Sequence, residues 1–282
     1  MKSIILTAHH KNDIAIPIFK EYFFPIQVGA SLSDVNLGIG RDDSGENISS
    51  KNRNYCELTA YYYALKNLDF DSAGLMHYRR IFLNKAPIYK YFKKCIKYFM
   101  LRAFDLISIK DLSLSIDPTT SIGNLGQLKK EVSLLDSFLK SQGFEDVDIV
   151  LPKKIKYAYL NVKQQYSINH SMYDLEKFNE IIIKKYPFFR GYIKSVNDGR
   201  ALYPYNMYIM KKKFFEDYNN MLFLVLEEME SYIDLSLLNS YQSRIFGFLS
   251  ERFLNYYVEM IKTESNIEIM ELDTAFIHVE LL

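Results

Sequence analysis

The apolar run A-G-L-M at residues 73–76 stops abruptly in His77, Tyr78, Arg79 and Arg80. Small and aliphatic residues without a polar interruption suit a strand covered on both faces, the strand type of α/β sheets flanked by helices. In open sheets of that class ligands bind beyond the carboxyl ends of the strands. Here that end carries an imidazole and a pair of guanidiniums. A guanidinium is a planar fork of donors that matches phosphate oxygens, so the same stretch predicts an anionic, phosphorylated ligand.

The residues leading into this strand divide into a loop and a helix. Residues 37–50 have neither helical nor strand periodicity, and Gly38, Gly40 and Gly45 permit a close backbone path. Asp42 and Asp43 in this loop suit a ribose hydroxyl, a base or a metal, or equally a turn whose own backbone they cap. Tyr55, Leu58, Thr59, Tyr62 and Leu65 then recur at three and four residues. That spacing predicts one helix with a buried stripe, capped by Ser49 or Ser50, with Cys56 on its apolar face. Glu57 lies beside the stripe and reads either as a partly exposed helix glutamate or as an active-site carboxylate.

Elsewhere strands and helices alternate, which indicates an α/β sheet. Residues 2–8 read as a buried first strand, and the polar residues after it, beginning with His9, occupy a common position for meeting a nucleotide. A short strand is expected at 147–151, an alternating one at 202–210 containing Asn206, and a closing one at 268–272. Helices are expected at 127–139, 214–233 and 241–261, the last carrying Gln242, Arg244, Glu251 and Arg252. His170 and Asp174 are four residues apart and would share one helix face, either as a structural pair or as a carboxylate orienting an imidazole. Residues 84–110 are basic and aromatic, which suits contact of 85–104 with an anionic membrane surface, or an amphipathic helix packed on the domain.

A formal net charge of +1 gives no global reason to expect nucleic acid, and no motif for it accompanies the basic segment. The 23 tyrosines and 20 phenylalanines fit a thick aromatic core or a sugar-stacking site. Cys56 and Cys95 make neither a disulfide framework nor a zinc set, which is consistent with a reducing compartment. The short apolar start and the lack of a membrane-length apolar run lead to an expected cytoplasmic location.

Taken together, D-D-S-G-E-N-I-S, N-Y-C-E-L-T-A, G-L-M-H-Y-R-R, D-I-V-L-P-K, N-H-S-M-Y-D-L, Y-N-M-Y-I-M and F-G-F-L-S-E-R resemble the bacterial capsular and exopolysaccharide biosynthesis glycosyltransferases with a Cys-Glu-Leu-Thr and His-Tyr-Arg-Arg signature. The resemblance covers nearly the whole chain. It implies a GT-A-like single domain over 1–282, with a mixed, mostly parallel central sheet flanked by helices and a helical insertion at 84–145. The implied activity moves a sugar, galactofuranose or galactose, from a nucleotide diphosphate donor, UDP-linked, to a capsule, O-antigen or exopolysaccharide acceptor, lipid-linked or free. A sugar-phosphate transferase and a non-catalytic glycan-assembly protein are the alternatives.

On this reading His9, Asp42 and Asp43 meet the nucleoside, and His77, Arg79 and Arg80 the diphosphate. Asp174, His170 and Glu57 are the candidates for catalysis, Asn206 and Gln242 for the acceptor. Asp69 and Asp71 form D-F-D, superficially the D-x-D metal motif of GT-A enzymes, but that motif ends a strand and D-F-D begins one here. His77 and Arg79 stand in the comparable positions, and cations can neutralise a leaving diphosphate directly. No metal is therefore expected, with Mn2+ or Mg2+ as the alternative. The expected location is the cytoplasm, including the inner face of the cytoplasmic membrane.

Overall fold

The computed structural model describes residues 2–13, 15–84 and 115–278. Its strands are β1 (Ser3–His9), β2 (Phe24–Gln27), β3 (Gly40–Arg41), β4 (Ser72–His77), β5 (Arg80–Leu83), β6 (Ser115–Ile116), β7 (Thr120–Ile122), β8 (Ile149–Pro152), β9 (Ile155–Tyr157), β10 (Ala201–Leu202), β11 (Tyr208–Lys211) and β12 (Ile269–Ile277). The main sheet follows the order β3-β2-β1-β4-β11-β8-β12-β7. β5 runs back from the end of β4 and pairs with the second half of β12, whose first half pairs with β8. β10, β9 and β6 form a small antiparallel sheet.

The helices are α1 (Ile16–Tyr22), α2 (Asn52–Tyr55), α3 (Leu58–Asn67), α4 (Leu125–Leu139), α5 (Gln142–Glu145), α6 (Val162–Asn169), α7 (Met172–Lys185), α8 (Phe189–Asp198), α9 (Lys212–Glu230) and α10 (Ile245–Glu264). They cover both faces of the main sheet, and the pleat sorts its side chains between two apolar layers. Leu6, Ala73, Leu75, Tyr208 and Met210 face a layer that includes Tyr61, Phe178, Phe189 and Phe253 of α3, α7, α8 and α10. Ile5, Met76, Met207 and Ile209 face the other, with Phe19 of α1 and Leu128, Val132, Leu135 and Leu139 of α4. The spacing of those four α4 residues makes one buried stripe, and the Asn124 side chain caps the helix by accepting from the Gln127 amide.

Much of the tyrosine content is core. Tyr61, Tyr208, Tyr218, Tyr256 and Tyr257 are among the largest fully buried side chains, and the Tyr61 and Tyr208 rings stack at 4.3 Å. Their hydroxyls find partners, as buried phenols must: Tyr208 donates to Asn219 at 2.9 Å and Tyr257 to Asp217 at 2.9 Å. Where β4 meets β11 the backbones press together at Gly74, which pairs with Ile209. A Cβ on Gly74 would lie 2.4 Å from the Tyr208 carbonyl oxygen and 2.7 Å from Ile209 Cα.

The domain is α/β, but several expectations are corrected. The sheet is mixed rather than mostly parallel: β11 enters antiparallel between β4 and β8, β5 is antiparallel to both of its neighbours, and the small sheet is wholly antiparallel. The single helix expected around Cys56 is two, because Cys56 adopts φ 54° and breaks the chain between α2 and α3. Its turn is held by the Asn52 side-chain amide, which donates to the Cys56 carbonyl at 2.7 Å. Helix α10 begins only at Ile245, after a 3-10 turn at Gln242–Arg244. The closing strand extends past 272 to Ile277.

Of the segment 84–145 expected as an insertion, 85–114 and the 85–104 membrane-contact stretch lie outside the described residues, as does Cys95. The remainder contributes β7 to the main sheet and α4 to the second apolar layer. Among the described residues no helix is long and apolar enough to cross a membrane.

Candidate active site

The parallel strands β1, β2 and β4 end together: Ala8 pairs with His77 and His9 with Gln27. Because β11 runs the opposite way, the residues entering it, Tyr205 and Asn206, arrive at this same edge. So does Phe276, paired with Arg80 across β5 and β12. These ends, with α2 and the start of α10, enclose a cavity of about 930 Å³.

The expected strand-end motif becomes a hairpin. His77 closes β4, Tyr78 and Arg79 turn, and Arg80 opens β5. The turn is tied to its neighbours by the Tyr78 amide donating to the Ala8 carbonyl at 3.2 Å and the Ile277 amide to the Arg79 carbonyl at 2.8 Å. Both guanidiniums stack on rings, Arg79 over Phe276 at 4.7 Å and Arg80 over Tyr205 at 4.5 Å. Both Nε atoms are buried without a hydrogen-bond partner, and neither side chain makes an ion pair among the described residues. Asp69 and Asp71 do not reach them: Asp69 lies 3.5 Å from Lys212, and Asp71 accepts the Lys2 amide at 2.6 Å.

Backbone strain concentrates here. The non-glycine residues with positive φ among those described are Cys56, Tyr205 and Asn206, and all of them line the cavity. Such conformations each cost on the order of 1–3 kcal/mol and persist only where surrounding contacts over-determine them. For Tyr205 and Asn206 those contacts are clear. The His77 ring, through Nε2, donates to the Tyr205 carbonyl at 2.9 Å, and the Tyr205 amide donates to Glu251 at 2.6 Å. The Tyr61 hydroxyl donates to the Asn206 carbonyl at 2.8 Å, while Asn206 Nδ2 donates to the Gly247 carbonyl and to Glu57 Oε1.

The cavity is cationic. Arg53, Arg79, Arg80 and Arg244 line it against Glu57 and Glu251, with His10 and His77 beside them. Burial, with Lys11 next in effect, lowers the pKa of His10, so this ring is held neutral to lower pH. Burial pushes the Cys56 thiol up to about 11, which disfavours the thiolate, and Arg244 Nε donates to its sulfur at 3.2 Å. Among the described residues no cluster of three His, Cys, Asp or Glu side chains is placed to hold a metal ion.

Of the residues singled out from sequence, Glu57, His77, Arg79, Arg80 and Asn206 meet in this cavity. His9 does not: its ring is fully buried, bonded to Asp13 at 2.8 Å and Thr7 at 3.1 Å, and its neighbour His10 faces the cavity instead. Asp43 is paired with Arg41. Asp42 is fully buried and accepts from the Gly29 and Ala30 amides at 2.8 and 3.0 Å and from the Ser49 and Thr59 hydroxyls. Asp42→Asn is expected to destabilise the fold by about 2–4 kcal/mol, because its amide group sets new donors against existing ones in a buried network. Urea unfolding should report a lower midpoint with unchanged slope.

His170 and Asp174 do not share a helix face. Ser171 caps α7 after α6 has ended, its hydroxyl accepting the Asp174 amide at 3.4 Å. His170 turns instead to Gln242, 3.3 Å away, and stacks on Tyr241 and Phe248. His170, Asp174 and Gln242 all lie outside the cavity lining, although Phe248 belongs to it. Sequence reasoning missed Arg53, Tyr205, Phe276 and the role of Glu251. The one available signal was Gly247 and Glu251 four apart on a helix, hence on one face.

The fold matches a solved structure described as that of the bifunctional glycosyltransferase WbbM in its apo form, with TM-score 0.75 and 27% sequence identity over 98% of this chain. The match spans 45% of that protein, so the chain corresponds to less than half of it. The likeness to the mannosyltransferase Ktr4p from S. cerevisiae is slight, at TM-score 0.30 and 10% identity over 89% of this chain and 62% of that one. No curated protein matches the sequence. Residues 4–263 match the family described as "Domain of unknown function (DUF4422)", and the chain belongs to that family.

Proposed function

We propose that the chain is a glycosyltransferase that moves a sugar from a nucleotide diphosphate donor, UDP-linked, to a capsule, O-antigen or exopolysaccharide acceptor. The observation that carries this reading is the pair of ring-stacked guanidiniums at Arg79 and Arg80, with no carboxylate partner among the described residues, in a cavity at the carboxyl edge of the sheet. About 930 Å³ lies at the upper end of the usual size of a small-molecule site. The likeness to WbbM, described as a glycosyltransferase, supports the same class of reaction.

When the bond from sugar to diphosphate breaks, negative charge grows on the departing oxygen. Cations already fixed beside it stabilise that charge without having to reorganise. Arg79 and Arg80 take the diphosphate, with Arg53 and Arg244 adding to the positive field. His77 acts through the backbone, its Nε2–H holding the Tyr205 carbonyl, and Glu57 lies 3.8 Å from the same nitrogen. The nucleoside lies against the ends of β1 and β2, where His10 and Val28 line the cavity. Galactose and galactofuranose are the sugars to try first.

The test is a thermal-shift panel of UDP, UDP-sugars, GDP-sugars and CMP-sugars, each with Mn2+ or with EDTA. A ligand at 100 times its dissociation constant adds about 2.7 kcal/mol, which is roughly 5–10 °C for a domain of this size. A UDP-selective shift that survives EDTA is the expected result. A shift that requires Mn2+ returns a metal to the mechanism, and the absence of any nucleotide shift sinks the reading. Release of nucleoside monophosphate in turnover would mark a sugar-phosphate transferase instead.

A further inference from the structure

The cavity holds a pair of carboxylates with different surroundings. Glu57 Oε1 already accepts from Asn206 Nδ2 at 3.1 Å and lies 3.8 Å from His77. Glu251, one turn after Gly247 on α10, accepts the Tyr205 amide through Oε2 at 2.6 Å. Its Oε1 accepts no hydrogen bond among the described residues. A carboxylate pinned by one oxygen and open at the other is oriented, yet still able to take a proton.

Its environment suits that task. Burial raises the Glu251 pKa. Arg252 on the same helix, the Tyr205 amide and Arg80 on β5 oppose the rise, while Glu57 adds to it. Arg252 is turned away, bonding Gln165 at 2.7 Å and stacking over Tyr166, so it makes no ion pair with Glu251. Tyr157 of β9 also feels the Glu251 charge, and Asp117 meets Tyr205 through the tyrosine hydroxyl at 3.0 Å. Arg80 stacks on the ring of Tyr205, the residue whose amide fixes Glu251. The cation site and this carboxylate thus meet at one residue, Tyr205, the one through its ring and the other through its amide.

We infer that Glu251 is the catalytic base of the transfer, an inference that rests on the glycosyltransferase reading above. The acceptor hydroxyl oxygen bonds to the anomeric carbon, and its proton passes to Glu251 Oε1. The bond from that carbon to the diphosphate oxygen breaks, its electron pair leaving with the nucleoside diphosphate. Formation of the new bond as the old one breaks is a direct displacement, which inverts the anomeric carbon.

The test uses the full chain and needs no knowledge of the acceptor. UDP release from UDP-galactose and UDP-galactofuranose is followed with water as the accepting hydroxyl, alongside the UDP thermal shift, for the unaltered protein and Glu251→Gln. Glutamine keeps an oxygen for the Tyr205 amide, so a purely structural role predicts near-normal UDP release. A base role predicts a loss of at least about 100-fold with the UDP shift retained. The base must be ionised, so unaltered turnover falls as pH drops through its pKa. Because burial raises that pKa, this acidic limb lies above the ordinary glutamate value of about 4.3 and disappears in the variant. Release within about threefold of the unaltered protein, or loss of the UDP shift together with turnover, overturns the assignment. A UDP shift in the unaltered protein without UDP release from either donor overturns the transfer reading itself, and the inference with it.

Discussion

Arg79→Ala combined with Arg80→Ala should abolish UDP binding and UDP release while leaving the fold intact. A hydrogen bond to a charged group is worth about 1.5–3 kcal/mol, so each single replacement should weaken UDP by roughly 10- to 100-fold. The double replacement should exceed roughly 1,000-fold, because neither cation can substitute for the other once both forks are gone. The fold should tolerate the change because no ion pair is broken among the described residues. Stacking on Phe276 and Tyr205 is lost, but so is the burial of an unpartnered Nε on each residue. Thermal melting without ligand should therefore move by no more than about 2 °C, and isothermal titration with UDP measures the rest. Lysine at both positions keeps the charge without the planar fork and should recover only part of the affinity. UDP binding unaffected by the double alanine change would remove the diphosphate role from this hairpin.

Gly74→Ala should have the largest effect on stability of any single methyl added to the sheet. The new carbon would meet the Tyr208 carbonyl oxygen at 2.4 Å and Ile209 Cα at 2.7 Å, both backbone atoms with no rotamer by which to withdraw. Relief requires β4 and β11 to separate, which costs about 3 kcal/mol or more. That is a large fraction of the roughly 5–15 kcal/mol that holds a domain folded. The melting temperature should fall by about 10 °C. Because β11 begins two residues after Asn206, UDP affinity should fall too, although Gly74 lies outside the cavity. A variant that melts within about 2 °C of the unaltered protein would mean that the strands part at little cost.

Legibility from sequence followed how local the causes were. The H-Y-R-R ending was readable because an apolar run meeting charges is a contrast between neighbours. That the chain reverses there was not, since Tyr78 and Arg79 carry no turn signature and the hairpin is fixed by pairing with β12. The exchange of His9 for His10 is a matter of parity. β1 is buried on both faces, so its sequence lacks the alternation that tells one face from the other. The break at Cys56 was illegible for a similar reason. N-Y-C-E-L-T contains no helix breaker, and the turn is imposed by Asn52 and by Arg244 from a distant segment. His170 and Asp174 were separated by a cap at Ser171 whose signal was present but outweighed by their spacing. Glu251 reads as any charged residue on a long helix, because the Tyr205 amide that fixes it comes from a segment 46 residues away.

The arginine hairpin is continuous with the sheet, β4 being paired to β1 and β11 and β5 to β12. A cation site built this way is held by the hydrogen-bond ladder of the sheet rather than by a hinged loop. On the glycosyltransferase reading, donor association should be steered by the field of the cavity arginines, and raising ionic strength should slow encounter more than it hastens escape.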